Sequence, residues 1–206
     1  MITEPRFALN HMAARRLPLA DFFKLAADLG LDAVEIRNDL ADHAILDGTK
    51  ADEIRRLAGA HALQILSINA LQQFDRWTPE REGEAVALAD YAAEAGAAAL
   101  VLVPCNDGDG ADLDEALAGL APILTTRGLT GLIEPWGVGT CSLRSKSLAA
   151  DAILRLSDPA LFRLLHDTFH HHVAGETALC ADLTGLVHVS GVTDLELART
   201  DMLDDH

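Results

Sequence analysis

The apolar pair Leu164-Leu165 leads straight into His166-Asp167-Thr168-Phe169-His170-His171-His172, the densest chemistry in the chain. A carboxylate and an imidazole emerging together from a strand end can share one divalent cation, because hard oxygen and borderline nitrogen ligands suit Mn, Co, Zn or Mg. Asp167 and His170 stand in that relation. The same stretch would also suit a helix start with Asp167 or Thr168 as N-cap, so its meaning depends on what other strand ends bring. Glu134 closes the run Leu132-Ile133-Glu134, where a carboxylate is costly to bury unless paired or metal-bound. His188 alternates with Val187 and Val189, so it points away from both; a single histidine in that place is more often a satisfied core residue than a ligand. His11, Glu35, Asn69 and Asn106 stand at further strand ends. Arg144 and Lys146 open a helix, where they suit hydroxyls or anionic groups as well as solvent, and His43, His61 and His171 read as surface.

The elements that must position these residues repeat one theme. Strand-like runs cover Arg6–Met12, Ala33–Arg37, Leu63–Leu71, Ala99–Val103, Gly131–Pro135, Phe162–Leu165 and Leu186–Ser190. Helical spacing covers Leu17–Leu29, Ala51–Ala62, Pro79–Ala95, Leu113–Arg127, Ser145–Leu156 and a short Val173–Ala181. Gly30, Gly96 and Gly128 each stop a helix a few residues before a strand, a supersecondary repeat of roughly 30 residues. Strands apolar on both faces and alternating with helices indicate a parallel sheet covered by helices. An open doubly wound sheet and a (β/α) barrel both fit that alternation. Polar residues at the C-terminal ends of many different strands favour the barrel, where those ends converge on one mouth. No GxGxxG or Walker loop supports a nucleotide site. The expectation is one α/β domain over residues 1–206, a TIM-type barrel with seven visible strands and no eighth.

Composition narrows the function classes. The formal net charge is −16 with scattered Lys and Arg, so a phosphate backbone would be repelled and nucleic acid is not an expected partner. No apolar run approaches the ~18 residues that span a bilayer, and the N-terminus shows no secretory signal. Cys105, Cys141 and Cys180 are odd in number and without a CxxC, which fits a reducing cytoplasm.

Asn10-His11-Met12, Val34-Glu35-Ile36-Arg37-Asn38, Ile133-Glu134-Pro135, Ser142-Leu143-Arg144-Ser145-Lys146, His166 to Glu176 and Val187 to Val192 together resemble the xylose-isomerase-like TIM-barrel superfamily. The closest likeness is to inosose (2-keto-myo-inositol) isomerases and related sugar isomerases and epimerases. That resemblance implies a single divalent metal on Glu134, Asp167 and His188, with Glu134 also an acid/base group. It places His170, a catalytic imidazole, facing substrate or an additional metal, with His170 and His11 holding substrate oxygens; Glu35 and Asn69 at strand ends and Arg144 at a helix start are further candidate substrate-binding groups. The fourth ligand of the family is a Glu on an eighth strand, which follows an Asp-x-His segment that Asp204-Asp205-His206 resembles. The implied reaction moves a carbonyl to the adjacent carbon of a keto-inositol or keto-sugar through an enediolate. Three other readings share parts of the pattern: a keto-inositol dehydratase, an abasic-site endonuclease that the acidic charge disfavours, and a non-catalytic binding module. Without an eighth strand the two outer strands would be open edges, which invite self-association into a homo-oligomer.

Overall fold

A computed structural model describes residues 5–40, 45, 48–108 and 112–191. His43, Asp204-Asp205-His206 and part of the Gly/Asp-rich loop after Asn106 lie outside the described residues. Seven strands, β1 (Leu9–Asn10), β2 (Ala33–Arg37), β3 (Gln64–Gln72), β4 (Ala99–Val103), β5 (Thr130–Ile133), β6 (Phe162–Asp167) and β7 (Thr184–His188), form one sheet in sequence order. Every neighbouring pair is parallel. The helices α1 (Leu19–Asp28), α2 (Ala51–Ala60), α3 (Pro79–Ala95), α4 (Leu113–Thr125), α5 (Lys146–Arg155) and α6 (Thr168–Ala174) alternate with the strands. Among the described residues no helix is long and apolar enough to cross a membrane.

The period of two along each strand sorts side chains into two layers. Val34 and Ile36 of β2, Leu100 and Leu102 of β4, Ile133 and Leu164 face the helices and join Phe22, Phe23, Ile54, Leu117 and Ile153 in the main core. Burying each such large side chain contributes roughly 1.5–3 kcal/mol, so this outer layer carries most of the stability. The opposite parity faces inward. Val101, Val103, Leu132 and Leu165 form a second apolar cluster there, with Leu186 packed on it. Continuing that parity to the strand ends places Glu35, Glu134, Asp167 and His188 on the inner face.

Contacts across the sheet show its curl. In a flat sheet β2 and β7 would lie about 24 Å apart at roughly 4.8 Å per strand. Instead His188 Nε2 is 3.0 Å from Glu35 Oε1, which requires the sheet to bend round on itself. The architecture is thus a curled parallel half-barrel with helices outside, and the strand-end residues converge at its mouth. β1 pairs with β2 alone and β7 with β6 alone, so both outer edges stay open among the described residues.

Three elements differ from the sequence expectation in ways that bear on the site. The first strand is only Leu9–Asn10, because the Asn10 side chain accepts the Met12 amide and turns the chain into a 3-10 helix at His11–Ala14. The short helix lies at Thr168–Ala174, not Val173–Ala181: Asp167 caps it, accepting from the Phe169 and His170 amides, and Gly175 ends it at φ 64°. The last strand ends at His188, and Val187 and Val189 are 51% and 86% exposed, so β7 is not covered on its outer face as an inner strand would be.

Candidate metal centre

Each residue at the mouth is set by its strand end. Glu134 follows β5, and its amide donates to Leu102 O at 3.1 Å, so the carboxylate is pinned directly above the inner apolar layer. It is 5% exposed. Gly137, just beyond, has no room for a Cβ because the His170 carbonyl and Ala174 amide of α6 press on it; that close approach seats α6 against the Glu134 loop. Trp136 from the same loop stacks on His170 with ring centroids 5.1 Å apart, and its indole Nε1 donates to Glu134 Oε2 at 3.4 Å.

Asp167 divides its carboxylate between two tasks. Oδ1 caps α6, at 2.7 Å from Phe169 N and 3.1 Å from His170 N, and Ser190 Oγ adds a donor at 3.2 Å. Oδ2 lies 3.7 Å from His188 Nδ1. The helix-cap reading and the ligand reading of this residue are therefore compatible. Ligand atoms of Glu134, Asp167 and His170 all lie within 4.8 Å of one another. His188 Nδ1 stands 3.1 Å from Glu134 Oε1 and borders this group, whose imidazole is His170 and not the His188 that the sequence led one to expect. Two carboxylates and an imidazole at this spacing can hold one divalent cation of the Mn, Co, Zn or Mg class.

The electrostatics point the same way. Burial disfavours the His188 imidazolium, yet hydrogen bonds and charge from Glu134 and Glu35 more than reverse this and push its pKa up to about 10. Arg37, whose own pKa is raised, faces burial offset by Asp39 at its guanidinium and by the more distant Glu35 and Glu134. The mouth attracts positive charge.

The remaining expected site residues divide. Glu35 and Asn69 come to the cluster, Asn69 donating to Glu35 Oε1 at 3.4 Å. Arg144 is exposed and donates to Gly137 O at 3.4 Å, at the rim of a hollow that it shares with Lys146, Asp167, His170, His171 and Glu176. His11 is wholly buried, bonded through Nε2 to Leu17 O at 3.0 Å and stacked on Phe22. Asn106 is exposed and accepts from Thr140 Oγ1 at 2.6 Å.

A second polar cluster flanks β6, and the sequence signalled it only faintly. Lys146 is 3% exposed, with Nζ 3.2 Å from His166 Nδ1, beside His171 Nδ1 and 3.7 Å from Glu176 Oε2. Glu176 in turn accepts from the Lys146 and Ser147 amides and the Ser145 hydroxyl, fixing the start of α5. Burial lowers the Lys146 pKa although Glu176 opposes it. Burial and the nearby Lys146 also lower those of His166 and His171. His171, expected at the surface, is half-buried in this group. Trp136 and Ser67 were likewise missed, since neither an aromatic nor a serine between apolar residues carries a distinctive pattern.

The family description "Xylose isomerase-like TIM barrel" matches residues 23–206. The chain belongs to that family. Among solved structures, this xylose isomerase-like chain is similar to a xylose isomerase domain containing protein from Salmonella typhimurium LT2, at 34% identity and a TM-score of 0.85 over 94% of this chain and 74% of that one. The IOLI protein, solved with a bound zinc atom, shares the fold at 18% identity and a TM-score of 0.81 over 92% of this chain and 74% of that one. D-psicose 3-epimerase from Clostridium cellulolyticum H10 shares it at 14% identity and a TM-score of 0.72, over 90% of this chain and 73% of that one. No match is found among curated proteins.

Proposed function

We propose that this xylose isomerase-like protein is a metal-dependent isomerase that moves a carbonyl to the adjacent carbon of a keto-inositol or keto-sugar. The observation that carries the reading is that ligand atoms of Glu134, Asp167 and His170 lie within 4.8 Å of one another at the C-terminal ends of the strands, with His188 Nδ1 3.1 Å from Glu134 and a hollow rimmed by Arg144 beside them. Glu134, Asp167 and His188 would hold the cation, which supplies Lewis-acid stabilisation to oxygens on which negative charge develops. The rest of the chemistry falls to side chains. An α-hydroxy ketone isomerises when a proton leaves the carbinol carbon, the two oxygens exchange carbonyl and hydroxyl character, and a proton returns to the former carbonyl carbon. Glu134, acceptor-only when ionised, takes and returns that proton. His170 is fixed by Trp136 on one face and by the Phe169 ring edge at 5.2 Å, which suits it to hold a substrate hydroxyl in one orientation. Arg144 contributes donors to peripheral hydroxyls.

The test is incubation of the metal-loaded protein with inosose and a panel of keto-sugars in D2O, followed by NMR. Isomerisation gives a product of unchanged composition with deuterium at the new carbinol carbon. A product lighter by one water would replace this reading with dehydration, and no turnover on any keto-polyol would remove it.

A further inference from the structure

Arg37 closes β2 two residues after Glu35, so the period of two sets it on the same inner face, one step nearer the mouth. It pairs there with Asn69 of β3. Its side chain is 16% exposed, low for a guanidinium at a strand end. Both ends of the residue are held. On the backbone side, Asn38 clamps the chain to β3: its backbone N–H donates to Asn69 O at 2.9 Å, its Oδ1 accepts from Ala70 N at 2.6 Å, and its Nδ2 donates to Ala70 O at 3.1 Å. At the head, Asp39 accepts from Nε at 2.7 Å and from Nη2 at 2.5 Å.

A partly exposed ion pair between residues two apart contributes little to stability, so the main effect of the two clamps is to orient the fork. A guanidinium carries five N–H groups in one plane, and Asp39 takes two of them. Nη1 has no hydrogen-bond partner among the described residues. The edge formed by Nη1 and the second proton of Nη2 therefore directs two parallel N–H bonds away from Asp39. The guanidinium also lies in the field of the mouth: burial lowers its pKa, and Asp39, followed by Glu35 and Glu134, more than reverses this. With Asp39 cancelling its charge, the remaining edge suits a neutral molecule, and two parallel N–H bonds match oxygens on adjacent carbons of a polyol.

We propose that Arg37 is a further substrate-binding residue, holding two neighbouring oxygens of a neutral polyol by the guanidinium edge turned away from Asp39. This deepens the keto-polyol reading of the mouth and rests on it.

The experiment is calorimetric titration of the zinc-loaded wild type and of Arg37→Lys with inosose and the same keto-sugars, with zinc affinity and the thermal midpoint of each protein measured alongside. Lysine keeps the charge and loses the planar fork. Polyol affinity should fall about 10–100-fold, the range for hydrogen bonds to a charged group, while zinc affinity stays at the wild-type value. A merely structural role would lower the midpoint and leave the polyol affinity of the folded variant unchanged. Spectra of the wild type labelled with 15N at arginine read the contact even if the variant folds poorly: the Arg37 guanidinium signals should shift when the polyol binds. Wild-type polyol affinity in Arg37→Lys, or Arg37 signals that stay in place on polyol binding, overturns this inference alone. If no keto-polyol binds the zinc-loaded wild type, the function proposed above and this inference fall together.

Discussion

The two polar clusters on either side of β6 solve the problem of buried charge in opposite ways. At the barrel mouth, three carboxylates of Glu35, Glu134 and Asp167 surround one imidazole, so negative charge is in excess. Beside α5, one carboxylate and two imidazoles surround Lys146, so the cation is covalently part of the chain. The first arrangement gathers ligand atoms of Glu134, Asp167 and His170 within 4.8 Å of one another. The second is closed: the ammonium has its acceptors, and Glu176 has its backbone donors from α5. An acidic group left with excess negative charge suits exchangeable cations, whereas a matched one suits a structural latch joining α5, β6 and the segment after α6.

Breaking the comparison should give effects on different observables. The largest is expected from Asp167→Asn. Asparagine caps helices as well as aspartate, so α6 should persist. One ligand oxygen loses its charge, and stoichiometric zinc should no longer be retained after gel filtration, as measured by elemental analysis. Retention of one equivalent would separate Asp167 from the cation.

Lys146→Met attacks the other cluster. It leaves the half-buried Glu176 with its backbone donors but without its counter-charge, and destabilisation of about 2–3 kcal/mol is expected, below the usual range for a broken buried pair because Glu176 is partly exposed and those donors remain. Denaturant unfolding measures it. Zinc affinity should change little, and a loss as large as that of Asp167→Asn would mean that the two clusters act as one.

His171→Gln is a milder version, removing one acceptor from the ammonium at a cost of about 1 kcal/mol while leaving zinc stoichiometry at the wild-type value. The smallest effect is expected at Trp136→Phe, which keeps the ring on His170 and deletes only the indole donor to Glu134. Zinc affinity should shift by a few-fold, corresponding to about 1 kcal/mol or less. An unchanged affinity would show that the long 3.4 Å contact does nothing for the centre.

The legibility of these regions differed for physical reasons. Glu134, Asp167 and His188 could be picked out because a charged or imidazole side chain interrupts an apolar run, and that interruption is visible within a few residues. His11 carried the same signal, but its strand of only two residues turns into a 3-10 helix and its ring stacks on Phe22, which the local pattern did not show. Lys146 looked like a solvated helix start because its partners are 20 to 30 residues away in the chain. The helix at Thr168–Ala174 was misplaced because Asp167 was weighed as ligand or as cap, and the carboxylate serves the cap while keeping one oxygen on the cluster side.

The sequence by itself determined the alternation of strands and helices, the parity that separates core-facing from mouth-facing residues, and the acidic interruptions at the strand ends. These are local properties, set by neighbours two to four residues away and by the hydrophobic cost of exposing one face. Only the tertiary structure decided which strand ends meet. Each neighbouring pair adds a small rotation, and only their sum across the sheet brings Glu35 of β2 within 3.0 Å of His188 of β7. The same long-range packing decided that Lys146 is buried and that Glu35 lies beside His188, because the groups around each charge are distant in sequence and adjacent only once the sheet has curled.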